Sequence, residues 1–299
     1  MRRGICLLPY DLARAAAPPH VYRRSMYTQR SMPEQDLLEL MIRAAVQGGR
    51  AAFQVYQGHF EVQLKADDSP VTAADHAAER IILEYLGRHA PDLPIIAEEQ
   101  VALGRVPQHG KNFLLVDPLD GTREFIKRNG EFTVNIALVR DGSPVLGVVY
   151  APAISALFAG NALAGEAWRS SQEPAAAEAN REPIKVRAVP AEGITVVASR
   201  SHRSPETDAY LAGYRVAHMV SVGSSLKFCK VAAGEADLYP RLGTTMEWDT
   251  AAGQAVLTAA GGRVLTGEPA TLEYGKPEYR NPWFVATGSA EVLRLNRSP

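Results

Sequence analysis

Cysteine is scarce in this chain, because Cys6 and Cys229 are the only two among 299 residues. Two thiols cannot build the disulfide framework of a small secreted protein, and no set of Cys and His has the spacing of a zinc site. These absences favour a protein of the reducing cytoplasm. Peripheral association with the cytoplasmic face of the inner membrane is an alternative that the sequence leaves open.

Long apolar runs are also missing, because no stretch reaches the roughly 20 residues that a membrane-spanning helix needs. The chain begins MRRGICLLPYD, and its apolar patch from Ile5 to Leu8 is interrupted by Pro9. A signal peptide needs an apolar region of about 7–15 residues. We therefore predict that residues 1–32 are a disordered extension or follow from a start codon placed too early.

Neither sign of charge is in excess, with 32 Lys and Arg against 33 Asp and Glu. This balance gives no overall attraction to a nucleic-acid polymer. The predicted partner is a small molecule, and the protein is expected to be a monomer or a homodimer. The hydrophobic fraction of 46% is enough for a large core in one large or two medium domains.

Hydrophobic periodicity predicts helices and strands that interleave along the chain. Such interleaving predicts a layered α/β fold with helices between and outside the sheets. The elements predicted for the first half are a helix over 36–57 that is loosened at Gly48-Gly49, a helix over 72–90, strands at 95–97 and 113–116, and two strands within 132–152 joined by Asp141-Gly142.

A polar, Ala/Pro-rich stretch over residues 170–183 has no periodicity and predicts an exposed loop between two lobes. An N-terminal lobe over 33–169 would bind metal, and a C-terminal lobe over 184–299 would carry substrate-side residues. The elements predicted for the second lobe are a strand at 194–199, a helix capped by Ser204, a helix at 225–234, a strand at 236–241 and a helix at 248–262.

Carboxylates recur where predicted elements begin or end, which is where α/β proteins build their sites. Converging carboxylates repel one another unless cations neutralise them. Oxygen ligands without His or Cys favour Mg²⁺, with Mn²⁺ as a substitute. The carboxylates concerned are Asp75, Glu98, Glu99, Asp117, Asp120 and Asp249.

The stretch DPLDGT, residues 117–122, can bring two carboxylates and the Leu119 carbonyl to one point. Gly121 lets the backbone approach closely, and Thr122 opens a helix whose free N–H groups favour a phosphate. Ordinary explanations exist for every feature taken alone. DPLDG suits a turn, Asp75 can complete a capping box with Thr72, and the other acidic residues suit a solvated edge or a helix N-terminus.

The order of DSPVTAAD, EE, DPLDGT and WDTAAG resembles the lithium-sensitive, magnesium-dependent phosphatase superfamily of inositol monophosphatase, fructose-1,6-bisphosphatase and the bisphosphate nucleotidases. Longer stretches, DPLDGTREFIKRNGEFTVNIALV, SRSH, GSSLKFCKVAAGEADLYPR and EWDTAAG, resemble the bacterial 3'(2'),5'-bisphosphate nucleotidases of the CysQ type. The resemblance runs from about Glu34 to about Phe284. It implies a sugar-phosphatase-like αβαβα sandwich, in which helices lie between and outside two sheets.

The resemblance also implies roles for single residues. Glu98, Asp117 and the Leu119 carbonyl would hold one metal ion, and Asp117, Asp120 and Asp249 a second. Thr122 and Asp75 would orient and deprotonate the attacking water, which Glu98 also contacts, and Lys65 would lie near the metals. The residues expected to contact the substrate are Glu98, Leu119, Asp120, Gly121, Thr122, His202, Ser224, Lys227, Arg241 and Asp249.

The implied reaction is Mg²⁺-dependent removal of the 3'-phosphate of adenosine 3',5'-bisphosphate (PAP), with 3'-phosphoadenylyl sulfate (PAPS) as a second candidate substrate in sulfur metabolism. Two or three Mg²⁺ ions would activate a water for direct in-line attack, and Li⁺ and Ca²⁺ would inhibit. An inositol-phosphate or fructose-bisphosphate phosphatase and an inactive nucleotide-sensing module are the alternatives. Lys227 could also be a helix-surface lysine, His202 a polar loop residue and Cys229 a core residue.

Overall fold

The computed structural model describes residues 32–65, 70–170, 180–199, 205–266 and 270–295. Predictions for residues 1–31, for His202 and for the Ser204 cap lie outside these residues. From Pro33 onward the described residues belong to one compact unit, and the division into lobes at 170–183 stays a prediction. None of the described helices has the length and apolar character needed to cross a bilayer.

The secondary structure follows the interleaved order that the sequence predicts. The helices are α1 (Glu34–Gln57), α2 (Ala73–His89), α3 (Glu98–Ala102), α4 (Thr122–Ile126), α5 (Pro205–Leu211), α6 (Leu226–Ala232), α7 (Glu247–Ala259) and α8 (Ala290–Leu295). The strands are β1 (Val62–Leu64), β2 (Pro70–Thr72), β3 (Ile95–Ala97), β4 (Asn112–Asp120), β5 (Thr133–Arg140), β6 (Ser143–Ala151), β7 (Ala156–Asn161), β8 (Glu166–Ser170), β9 (Glu182–Pro183), β10 (Ile194–Ser199), β11 (Val216–Val222), β12 (Leu238–Arg241), β13 (Thr245–Met246), β14 (Arg263–Leu265), β15 (Arg280–Asn281) and β16 (Phe284–Thr287).

The larger sheet has seven strands in the order β3-β4-β5-β6-β7-β8-β9. Strands β3 and β4 are parallel, and every later neighbour is antiparallel. The hairpin predicted at Asp141-Gly142 is confirmed: both residues have positive φ, 49° and 77°, as a type I′ turn requires. Residues of β5 alternate between two cores, with Ile136 and Leu138 on one face and Val139 on the other.

Helices α1 and α2 cover one face of the larger sheet. Helix α1 is continuous from Glu34 to Gln57, so the loosening predicted at Gly48-Gly49 is wrong. A Cβ at Gly48 would lie 2.6 Å from Ile82 Cδ1, and one at Gly49 would lie 2.6 Å from Tyr150 Cδ1. The two glycines therefore permit close packing of α1 rather than a break in it.

Helices α6 and α7 lie between the larger sheet and a five-stranded sheet of order β11-β10-β12-β16-β14. In this smaller sheet β10 is parallel to β11 and β12, whereas β16 is antiparallel to β12 and β14. Phe158, Phe228 and Phe284 belong to the core between the sheets, and Leu211 and Val292 pack on the outer face of the smaller sheet. The predicted αβαβα layering is confirmed.

Helix α7 lies directly on the backbone of the larger sheet. A Cβ at Gly147 on β6 would lie 2.3 Å from the Ala252 carbonyl oxygen, and one at Gly160 on β7 would lie 2.7 Å from Val256 Cα. Small residues at this contact let the helix approach the strands. The approach places the N-terminal turn of α7, which carries Asp249, beside the end of β4.

Candidate active site

A cavity of about 290 Å³ opens where β4 ends and where α4, α6 and α7 begin. Its walls contain every described residue that the sequence predicts to touch substrate. Lys65 lies beside it, in an ion pair with Glu98, and Asp75 lies in the first turn of α2. The predicted residues that line the cavity are Glu98, Asp117, Leu119, Asp120, Gly121, Thr122, Ser224, Lys227, Arg241 and Asp249.

The DPLDG stretch shapes the floor of the cavity. Strand β4 continues to Asp120 rather than ending near Val116, and its register with β5 shifts between Asp117 and Asp120. This bulge re-aims the side chains at the strand end. Gly121 has φ +91°, and a Cβ there would lie 3.2 Å from the Glu131 carbonyl oxygen. Glycine is therefore required at this position for both conformation and space.

Three aspartates bring negative charge into the floor. Burial raises the pKa of Asp117 well above its usual value, and the charges of Glu98, Asp120 and Asp249 add to the effect. A hydrogen bond from the Leu119 amide to Asp117 Oδ1, at 3.0 Å, acts in the opposite direction. Burial and Asp120 also raise the pKa of Asp249, whose Oδ2 accepts from the Met246 amide at 2.8 Å. Such mutually repelling oxygens suit a hard divalent cation.

The donor set fits Mg²⁺ in chemistry, since carboxylates and a backbone carbonyl are the ligands that hard cations prefer. Among the described residues, no group of three or more Asp, Glu, His or Cys side chains has the arrangement of a metal site.

Lys65 balances part of this charge at one edge of the site. Its Nζ lies 2.7 Å from Glu98 Oε1 and 2.6 Å from Glu99 Oε1. Burial lowers the pKa of Lys65, but Glu98 and Glu99 outweigh it and raise that pKa. Glu98 keeps 26% of its side chain exposed, and burial raises its pKa against the opposing charge of Lys65. Glu99 is instead buried behind the site, so these two glutamates are not a solvated edge.

Asp75 forms the capping box of α2. Its Oδ2 accepts from the Thr72 amide at 2.7 Å and from Thr72 Oγ1 at 2.8 Å. Burial raises the pKa of Asp75 to about 6 against these hydrogen bonds. The Thr122 hydroxyl faces the Leu119 carbonyl at 3.5 Å instead of Asp75. The predicted proton relay between Thr122 and Asp75 stays a prediction.

The opposite wall of the cavity is basic. Lys227 is only 6% exposed, so the alternative of a helix-surface lysine is wrong. Its Nζ donates to the carbonyls of Ser224 and Val222 and lies 5.4 Å from the Tyr239 ring centroid. Burial lowers the pKa of Lys227 to about 8, and the charge of Arg241 adds to the effect. Cys229 is fully buried among core residues, as predicted.

Arg241 reaches the same wall from the end of β12. Its Nη2 donates to the Thr244 carbonyl at 2.9 Å, which fixes the guanidinium at the cavity. Its Nε is buried and has no hydrogen-bond partner among the residues that the structure describes. A buried donor without a partner is unfavourable, so an anion in the cavity would satisfy it.

Three polar residues behind the aspartates were missed by the sequence reasoning. Thr133 and Asn135 on β5 and Ser225 before α6 are all buried. Asn135 Nδ2 lies 3.4 Å from Asp120 Oδ2 and 3.0 Å from Ser225 Oγ. The available signal was the pair of polar residues Thr133 and Asn135 on one face of the otherwise apolar run TVNIALV, because a strand covered on both faces must give such groups partners.

Comparison with known proteins identifies the family of this chain. The model of the inositol monophosphatase family matches residues 34–294. The chain belongs to the inositol monophosphatase family. Within this family, the 3'(2'),5'-bisphosphate nucleotidase CysQ of Salmonella typhimurium LT2 is 48% identical over 84% of this chain and 99% of that protein. The Escherichia coli K12 protein of the same name is 47% identical over 83% and 98%.

Solved structures of the inositol monophosphatase family share the fold. CysQ from Bacteroides thetaiotaomicron superposes with a TM-score of 0.73 at 38% identity, covering 85% of this chain and 98% of that one. An inositol monophosphatase from Anabaena superposes with a TM-score of 0.66 at 27% identity, covering 88% and 94%. The predicted family resemblance is confirmed.

Proposed function

We propose that the protein removes the 3'-phosphate of adenosine 3',5'-bisphosphate and releases AMP and inorganic phosphate. The relatives at 47–48% identity are named for this class of reaction. The observation that carries the proposal is one cavity with an acidic floor, including Asp117 and Asp249, and a basic wall with Lys227 and Arg241. A nucleotide with two phosphates fits because each phosphate then has its own site. PAPS, which carries the same 3'-phosphate, would be a second substrate in sulfur metabolism.

The metal requirement forms part of the proposal. We assign one Mg²⁺ to Glu98, Asp117 and the Leu119 carbonyl, and a second to Asp117, Asp120 and Asp249; a third ion is compatible with the reaction. Mg²⁺ dependence is general in the inositol monophosphatase family. Mn²⁺ should substitute, whereas Li⁺ and Ca²⁺ should inhibit by taking Mg²⁺ sites without supporting its geometry. The chemistry that Mg²⁺ supplies when bound is Lewis-acid assistance to the water and to the leaving oxygen.

The chain's own residues orient the water and accept its proton. We propose that Thr122 takes the proton of the attacking water and passes its own to Asp75. The pKa of Asp75, raised to about 6, makes this carboxylate a stronger base than an ordinary aspartate. The Thr122 hydroxyl must turn from the Leu119 carbonyl towards Asp75 when substrate binds. Water attacks phosphorus directly, the bond to O3' breaks, and no covalent phosphoenzyme forms.

Substrate recognition is assigned to the basic wall. Lys227 and Arg241 would hold the 5'-phosphate through charge-assisted hydrogen bonds, with Ser224 and His202 on the nucleotide side. Gly121 would let the backbone approach the 3'-phosphate. Cytoplasmic location, membrane association and the choice between monomer and homodimer stay predictions from the sequence.

The deciding experiment measures phosphate release from PAP with Mg²⁺ and with EDTA. The same assay is run on 3'-AMP, PAPS, inositol 1-phosphate and fructose 1,6-bisphosphate. We expect Mg²⁺-dependent release, with the highest kcat/KM for a 3',5'-substituted adenosine. An equal or higher kcat/KM for inositol 1-phosphate or fructose 1,6-bisphosphate would favour the sugar-phosphatase alternative. Tight PAP binding without phosphate release would favour a nucleotide-sensing module.

A further inference from the structure

A chain of buried polar side chains runs behind the acidic floor of the cavity. Thr133 and Asn135, on the same face of β5, are 0% and 1% exposed. Thr133 Oγ1 donates to Asn135 Oδ1 at 2.9 Å and also contacts Ser224 Oγ. Ser224 Oγ in turn donates to Asp120 Oδ2 at 2.8 Å. The chain therefore ends on a carboxylate assigned to the metal site.

The carboxamide of Asn135 has one orientation that satisfies its neighbours. Ser225 Oγ lies 2.6 Å from the Asp249 carbonyl oxygen, so the single proton of this hydroxyl is used there. Ser225 can then only accept from Asn135, which requires Nδ2 on that side. The second Nδ2 hydrogen points to the carboxylate of Asp120 at 3.4 Å. Both donors of the amide are thus directed to the cavity floor.

Through these bonds a single side chain joins three elements that are far apart in the sequence. Asp120 ends β4, Ser225 precedes α6, and Asp249 lies in the first turn of α7. We propose that Asn135 is a positioning residue for divalent-cation binding, because it orients the Asp120 carboxylate and, through Ser225, the first turn of α7. This inference rests on the proposed function.

Packing alone does not require a polar residue at this position. The residues that follow on the same face of β5 are Ala137 and Val139, and both pack in the apolar core between the sheets. A buried hydrogen-bonded group contributes little net stability compared with an apolar side chain of similar shape. The polar residues occupy only the end of the strand that adjoins the cavity, at Thr133 and Asn135. Their placement matches the positioning of the aspartates.

The test compares Asn135→Leu with the unaltered protein in a metal-binding assay without substrate. Leucine has nearly the same shape but no donor for Asp120 or Ser225. Loss of residues that orient metal ligands typically weakens affinity or activity by roughly 10–100-fold. We expect the apparent Kd for Mn²⁺, measured by calorimetry or by the paramagnetic resonance of free Mn²⁺, to rise by about tenfold or more. In turnover, kcat at a fixed Mg²⁺ concentration should fall more than the KM for PAP rises.

Asn161→Ala is the matched control, because Asn161 is also buried at the end of a strand of the larger sheet but caps a turn outside the cavity. It should lower the melting temperature and leave the Mn²⁺ affinity unchanged. Thr133→Val, which removes the hydroxyl that contacts both Asn135 Oδ1 and Ser224 Oγ, should weaken Mn²⁺ binding to a smaller degree. If Asn135→Leu does not fold, the Mn²⁺ affinity of Thr133→Val tests the inference in its place. Unchanged Mn²⁺ affinity in the folded variant, with normal binding by the parent protein, overturns the inference alone. Failure of the parent protein to bind Mn²⁺ would instead contradict the proposed function.

Discussion

Replacement of Lys227 by Met should distinguish the contribution of the 5'-phosphate to kcat/KM from that of the 3'-phosphate. The side chain is 6% exposed, so its ammonium would meet the 5'-phosphate with little competition from water. Methionine keeps the length and most of the packing of lysine but has no charge. A hydrogen bond to a charged group contributes about 1.5–3 kcal/mol, which corresponds to roughly 10- to 150-fold in kcat/KM.

The comparison substrate for this variant is 3'-AMP, which lacks the 5'-phosphate. Lys227 also donates to the carbonyls of Ser224 and Val222, so its loss disturbs the loop that reaches Asp120. That disturbance should reduce turnover of both substrates equally. The ratio of kcat/KM for PAP to that for 3'-AMP isolates the 5'-phosphate contact, and it should fall by about 10- to 150-fold. Equal losses on the two substrates would refute the assignment of Lys227.

The pH dependence of the same ratio gives an independent check. The pKa of Lys227 is lowered to about 8, so the free protein carries the charge below that pH and loses it above. Because kcat/KM reports the free enzyme, the preference for PAP over 3'-AMP should decline as the pH rises through about 8. The Lys227→Met variant should show no such decline. A preference that stays constant to pH 10 in the parent protein would contradict this reasoning.

Other perturbations test the metal site and the packing behind it. Asp120→Asn should abolish turnover by removing a metal ligand, whereas Asp141→Asn in the exposed β5–β6 turn should retain it; near-normal turnover in the former removes Asp120 from the site. Millimolar Li⁺ should inhibit, and added Mg²⁺ should relieve it; full activity in Li⁺ contradicts a shared Mg²⁺ site. Gly147→Ala should destabilise the protein by about 1–3 kcal/mol in urea unfolding, because its Cβ would lie 2.3 Å from the Ala252 carbonyl. Gly87→Ala, with no heavy atom within 4 Å of the new Cβ, should not.

The elements that a local pattern determines could be predicted from the sequence. The β5–β6 hairpin follows from two positive-φ positions at Asp141-Gly142, and α2 follows from its capping box and apolar stripe. Gly48-Gly49 was misjudged because the reason for these glycines is contact with Ile82 and Tyr150, which are distant in sequence. Helix propensity favours reading a glycine pair as a weak point, and only tertiary packing reverses that reading.

The cavity floor was predictable in its composition but not in its connections. Short motifs such as DPLDGT place carboxylates at element ends, and the family resemblance supplies their order. The partners of those carboxylates come from β5 and from the loop before α6, as the contacts of Asp120 with Asn135 and Ser224 show. Asp120 and Ser224 lie 104 positions apart in the sequence, so no local pattern predicts their pairing. Two polar residues, Thr133 and Asn135, on one face of a strand that is covered on both sides were the usable signal.

The type of donor that holds each aspartate leaves the repulsion between these carboxylates uncompensated. Backbone amides of Leu119 and Met246 hold Asp117 and Asp249, and neutral Ser224 holds Asp120. Neutral donors fix the direction of a carboxylate without cancelling its charge, so burial and mutual repulsion raise the pKa values of Asp117 and Asp249. A protein under selection for stability alone would pair such groups with Lys or Arg or replace them with apolar residues. Retaining them without such partners costs stability, which is the compromise expected where function and not folding dictates the residues.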